Sequence, residues 1–133
     1  MIKTVSVYIN SMFRDYKRNS TLRGLPFNIT REQFESFIFL NCHYCGKEPA
    51  LRNRGVIPVN GIDRLDTKKG YFMENCVPAC SVCNKMKSVL GVDEFLKAVK
   101  GIYENQASKE VHKDVNDSGH EVEDNDEGKS SGL

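Results

Sequence analysis

The 133-residue sequence has no tryptophan, only four prolines and no internal repeat. It lacks the run of ~18 apolar residues that a membrane-spanning helix needs, so no membrane span is expected. The opening stretch MIKTVSVYIN has neither the apolar segment nor the small-residue cleavage site of a secretory signal. These absences predict a chain made and kept in a reducing, intracellular compartment. Its five cysteines are then not expected to form a disulfide framework. Apolar residues make up 39 % of the chain, enough for one small core that an added staple would help to hold.

The formal net charge of +1 conceals an asymmetry. Residues 1–105 carry 16 basic and 10 acidic side chains, a balance of +6. Residues 106–133 carry three lysines and eight acids, a balance of −5. A basic body is compatible with a polyanionic partner, and the acidic tail is a solvated segment or a competitor for that partner. The tail has almost no large apolar side chains and is expected to be disordered, because burial cannot offset its ordering entropy.

Periodicity organises the rest. Ile2, Val5, Ile9, Met12, Phe13 and Tyr16 recur at steps of three and four, which predicts a helix over 2–18, although TVSVYI also alternates like a strand. Thr30 followed by Gln33 has the capping-box pattern and predicts a helix over 31–40 with Phe34, Phe37 and Ile38 on one face. Residues 41–75 are rich in Gly, Pro, Asn and Lys, so only short strands fit there. VNGIDRL and NCVPAC are the candidates. SVCNKMKSVL reads as a helix closed by Gly91. VDEFLKAVKGIYEN reads as a helix capped by Asp93, with Phe95, Leu96, Val99 and Ile102 or Tyr103 packed on the core.

Cys42/Cys45 and Cys80/Cys83 are two C-x2-C pairs. Each pair spans two corners of a tetrahedron, so the four thiolates can close a structural Zn²⁺ site. The 34 intervening residues exceed the span of a compact zinc ribbon and leave room for a two-stranded insert. A redox pair is disfavoured, since neither motif sits in a βαβ pattern. Cys76 reads as a small hydrophobe, and His43 as a spare side chain beside a filled site.

The segments CHYCGKEP, NGIDRLDTKKGY and ENCVPACSVCNKMKS resemble the HNH endonucleases of the ββα-metal (His-Me finger) superfamily, in the form found in phages and large viruses. RGLPFNITREQFESFI is similar to their helical lead-in. The resemblance implies an α+β fold: a zinc-stapled ββα core over residues 42–105, preceded by helical residues 1–41 and followed by the tail 106–133. It implies the cytoplasm of a bacterial or virus-infected host cell. It also implies a metal-dependent nuclease that hydrolyses DNA phosphodiester bonds, with DNA as partner. Asp63 matches the metal-binding acid, Asn75 the asparagine that pins the loop, and Asn84 the second ligand of a catalytic Mg²⁺ or Mn²⁺. Arg64 stands where most members have the general-base histidine. Some restriction enzymes of the superfamily look similar in carrying Asp-Arg.

Arginine stays protonated, so Arg64 fits a phosphate clamp and not a base. Tyr71, in the loop over the site, is the first candidate for that base. Asp66, His43 and solvent are the others. Lys68, Lys69, Lys85 and Lys87 are expected to contact the DNA backbone. Two further readings stay open: a zinc-stabilised nucleic-acid-binding module without cleavage, and a zinc-stapled protein-interaction domain. Oligomeric state is not legible in the sequence.

Overall fold

A computed structural model describes the backbone of residues 4–120 and the side chains of residues 4–110. Helix α1 spans Val5–Leu22 and starts at Thr4, whose hydroxyl accepts the Val7 amide at 3.2 Å. It runs four residues further than the periodicity alone predicts, past Arg18 to Leu22. Ser20 and Thr21 return their hydroxyls to the Lys17 carbonyl, which keeps these polar residues inside the last turn. Its inward face carries Tyr8, Ile9 and Met12, whereas Val5 is exposed. Ile2, the first member of the expected stripe, lies outside the described residues.

Helix α2 spans Arg31–Ile38 and has the expected capping box. Gln33 Oε1 accepts the Thr30 amide at 2.9 Å, and Thr30 Oγ1 accepts the Gln33 amide at 3.1 Å. Such a box contributes on the order of 1 kcal/mol. Phe34, Phe37 and Ile38 are buried, and Arg31 pairs with Glu35 one turn on.

Strands β1 (Gly61–Arg64) and β2 (Cys76–Ala79) pair antiparallel, with Asp63 opposite Val77 and Arg64 opposite Cys76. A 3₁₀ turn, Met73–Asn75, leads into β2. The Tyr16 hydroxyl oxygen ties α1 to the start of β1 by accepting the Ile62 amide at 3.1 Å. A side chain at Gly61 would collide with that hydroxyl and with the Arg52 guanidinium, so only glycine lets α1 approach the strand this closely.

One core joins these elements. Ile9, Met12, Ile29, Phe34, Ile38, Val59, Ile62, Tyr71 and Cys76 bury their side chains together. Phe13 packs edge-on against both Phe27 and Phe34, with ring centroids 5.5 and 5.6 Å apart. Cys76 is thus a core side chain, and burial pushes its thiol from the ordinary 9.0 up to about 11.

Helix α3 spans Ser81–Lys87, shorter than expected. It stops because Ser88 adopts φ 50°, ψ −121°, a left-handed turn reached three residues before Gly91. These elements belong to one compact unit, Met1–Val92, and Asp93–Leu133 forms a second.

Helix α4 spans Val92–His120, so Asp93 lies inside its first turn with Glu94 and is not its cap. Both acids there suit the positive end of the helix dipole. The helical path takes in residues 106–120 of the segment whose composition predicts disorder. Gln, Ala, Lys and Glu after residue 104 are good helix formers, so propensity extends the helix where no apolar face demands it. Residues 121–133, the remainder of the expected tail, lie outside the described residues. Phe95 is buried, but Leu96, Val99, Ile102 and Tyr103 are exposed and do not form the buried stripe expected of them.

Candidate metal and active site

The four knuckle cysteines converge. The sulfurs of Cys42, Cys45, Cys80 and Cys83 all lie within 4.8 Å of one another, and those of Cys45 and Cys80 are 3.8 Å apart. A tetrahedron with Zn–S bonds of ~2.3 Å has sulfur–sulfur edges of about 3.8 Å, so the donor set and its size fit a zinc ion. The first knuckle turns at Gly46, φ 76°, whose amide donates to the Cys42 carbonyl at 2.9 Å. The His43 amide ties it to β2 through the Pro78 carbonyl at 2.8 Å. The second knuckle opens α3: Cys80 Sγ accepts the Cys83 amide at 3.4 Å.

Burial raises the Cys42 thiol, but backbone hydrogen bonds from Cys45, Cys80 and Tyr44 outweigh it and bring the thiol down to about 6. Burial and the neighbouring sulfurs push Cys83 up. The Cys42 thiolate is therefore favoured, and Cys83 needs a cation beside it to ionise. The His43 side chain is exposed and packs edge-on against Tyr44, with ring centroids 5.0 Å apart.

Beside the cluster, the end of β1 presents Asp63 and Arg64, exposed by only 7 % and 8 %. Asp63 Oδ2 accepts the Tyr44 hydroxyl at 2.7 Å and lies 3.2 Å from Lys87 Nζ. Asp63 Oδ1 takes no hydrogen bond among the described residues. Burial first, then the hydrogen bond to Asp63 and its charge, push the Tyr44 hydroxyl far above its ordinary value, so it remains a donor.

Asn84 Nδ2 donates to the Ile62 carbonyl at 3.3 Å, which places this amide on the same β1–α3 seam and leaves its Oδ1 without a partner among the described residues. A buried carboxylate oxygen and an amide oxygen, each lacking a partner, fit a hard divalent cation that keeps open positions for water or phosphate.

The loop between the strands is fixed from inside. Asn75 Oδ1 accepts the Asp66 amide at 2.9 Å, while Nδ2 donates to the Asp66 and Gly70 carbonyls at 3.1 and 2.8 Å. Asp66 Oδ1 caps the turn by accepting the Lys68 amide at 2.9 Å. Arg64 Nη1 donates to the Thr67 and Lys69 carbonyls at 2.6 and 2.7 Å, and its guanidinium carbon sits 5.3 Å from the centroid of the Tyr71 ring. Tyr71 itself is buried in the aromatic core against Tyr16 and Phe27.

Lys68, Lys69 and Lys85 are exposed, but Lys87 is not. The expected DNA contact at Lys87 is corrected: its side chain has no exposure, and Nζ is bound to Asp63 and to the Arg64 carbonyl at 3.0 Å. A residue four positions after Cys83 shares its inward helix face, a signal present in the sequence but overridden by lysine's usual exposure. Tyr44 is the other site residue not foreseen in this role, and no spacing rule marks it.

A cleft of about 630 Å³ opens alongside, lined by Lys47, Arg52, Asn60, Ser81, Asn84 and Lys85 among others.

No protein-family model matches the chain. Over 81 residues, 61 % of its length, the chain is 41 % identical to an uncharacterised protein of Acanthamoeba polyphaga mimivirus. The match spans only 14 % of that protein. In structure the chain is similar to the rare-cutting HNH restriction endonuclease PacI, with a TM-score of 0.55 and 23 % identity. That likeness covers 76 % of this chain and 80 % of the other. No helix among the described residues is long and apolar enough to cross a membrane. The two-stranded sheet, the four-cysteine cluster and the structural likeness together give the chain the small α+β fold of an HNH nuclease, with a core that fits a zinc staple.

Proposed function

We propose that the protein is a metal-dependent HNH endonuclease that hydrolyses DNA phosphodiester bonds. The observation that carries this reading is the grouping of Asp63, Arg64 and Asn84 on β1 and α3, around a loop that Asn75 holds by three hydrogen bonds. Asp63 Oδ1 and Asn84 Oδ1 would hold Mg²⁺ or Mn²⁺, and the four cysteines a structural Zn²⁺. The hard cation supplies Lewis-acid stabilisation of the phosphorus centre and leaving oxygen.

The chain's own groups do the rest. Asp63 is oriented by Tyr44 and Lys87, which occupy its other oxygen. Arg64 spends Nη1 on the loop carbonyls and keeps Nε and Nη2 for a phosphate oxygen. Lys68, Lys69 and Lys85 are exposed for backbone contacts, and the cleft adds Lys47 and Arg52 against one acid, Glu48. Tyr71, first choice as base by sequence, is a buried platform for Arg64, which favours Asp66, His43 or solvent in the role of base.

A second reading, a zinc-stabilised DNA-binding module without cleavage, draws support from Arg64. A permanently protonated side chain fills the usual base position and is bound into the loop. Supercoiled plasmid with a series of Mg²⁺ and Mn²⁺ concentrations separates the two. Nicking that requires the metal supports the enzyme, whereas a gel shift without nicking supports the binder. A plasmid neither cut nor shifted would favour the protein-interaction domain.

A further inference from the structure

Lys87 is the most deeply buried charge in the described chain and one that nuclease chemistry does not call for. Its side chain has no exposure, and its ammonium is held by two acceptors that belong to consecutive residues, Asp63 Oδ2 and the Arg64 carbonyl. Among the described residues the buried Asp, Glu, Lys and Arg side chains are Asp63, Arg64 and Lys87, one acid beside two bases. Buried carboxylates are costly unless compensated. Here the compensation is built in, because a covalently attached cation already neutralises Asp63.

The other groups around Asp63 do not replace this role. Tyr44 brings a neutral hydroxyl. The guanidinium of Arg64 is turned to the loop carbonyls. The Asp66 carboxylate is spent on the Lys68 amide. None of the knuckle sulfurs bonds to Asp63 among the described residues.

We infer that Lys87 is a positioning residue that keeps Asp63 buried and aligned without a divalent cation, and that its ammonium thereby weakens divalent-cation binding by the free protein. The lysine divides the carboxylate, holding Oδ2 and leaving Oδ1 to a ligand. The same positive charge repels a second cation brought to Oδ1, in a setting where solvent screens little. The identity of Asp63 as the cation's ligand rests on the endonuclease reading, but the effect of Lys87 does not require cleavage.

The test is Mn²⁺ titration of the zinc-loaded full chain without DNA, followed by electron paramagnetic resonance or calorimetry. The wild type should bind Mn²⁺ weakly, and Lys87→Met should bind it at least about tenfold more tightly. Asp63→Asn in the Lys87→Met background should abolish the gain. Tyr44→Phe removes one of the two groups on Oδ2 but keeps the ammonium, and should not tighten binding. A merely structural lysine would make the Lys87 and Tyr44 variants behave alike. Unchanged or weaker Mn²⁺ binding in Lys87→Met overturns the proposal. If that variant does not fold, Lys87→Gln, which retains a donor, takes its place: tighter binding supports the proposal, and unchanged or weaker binding overturns it. Plasmid nicking is absent from this test, so a protein that fails to cut DNA can still pass it.

Discussion

The ammonium of Lys87 lies 3.2 Å from Asp63 Oδ2, with 0 % exposure for the lysine side chain and 7 % for the aspartate. Breaking a buried pair from one side strands the other charge, which costs about 3–5 kcal/mol. Asp63→Ala is therefore expected to lose stability as well as any nicking. The double variant Asp63→Asn/Lys87→Met should recover most of that loss, because no buried charge is left unpaired. Urea unfolding of the zinc-loaded proteins measures both. Equal midpoints for Asp63→Ala and wild type would show that the pair carries no net energy.

The cysteine cluster predicts a metal requirement for folding. Purified protein should contain about one zinc per chain by elemental analysis. Cys80→Ser removes both a ligand and the sulfur that accepts the Cys83 amide at the start of α3, and should give a zinc-free, unfolded Met1–Val92 unit. A folded, zinc-free Cys80→Ser protein would refute the staple.

Asn75→Ala removes three hydrogen bonds from the loop between the strands, one of them buried. The expected cost is about 1–3 kcal/mol, together with faster amide exchange at Asp66. Unaltered exchange at that amide would show that the Asn75 side chain does not hold the loop.

Arg64→Lys keeps the charge but loses the Nε and Nη2 donors left over once Nη1 binds the Thr67 and Lys69 carbonyls, and should lower nicking by about tenfold or more. Arg64→His introduces a group able to accept a proton, and should give a rate that rises with pH through ~6.5. A wild-type rate in Arg64→Ala would remove Arg64 from the mechanism.

Burial raises the Cys76 thiol from 9.0 to about 11, so the folded state prefers the neutral form more strongly than the unfolded state does. Its contribution to stability is complete below pH 9 and is lost as pH rises toward 11, by up to about 2–3 kcal/mol. Urea midpoints of wild type and Cys76→Ala, compared between pH 7.5 and pH 10 (about the middle of that window), should therefore converge as pH rises. Parallel midpoints would show that Cys76 does not titrate across this range.

What the sequence determined by itself was whatever depends on local chemistry or fixed spacing. The capping box of Thr30 and Gln33 needs only a single turn of helix, and the two C-x2-C knuckles can meet only around a shared centre. The Gly-, Pro-, Asn- and Lys-rich surroundings of VNGIDRL likewise leave room only for a short strand there before any partner is known.

Tertiary structure decided the rest. Helix α3 ends early because Ser88 adopts a positive φ, which helix propensity does not foretell. Residue type alone makes Tyr71 a loop base and Lys87 a surface cation, yet packing turns one into a core platform and the other into a buried counterion. Side-chain type sets only an average preference for water, and that preference yields when a buried carboxylate such as Asp63 offers a stronger partner than solvent does.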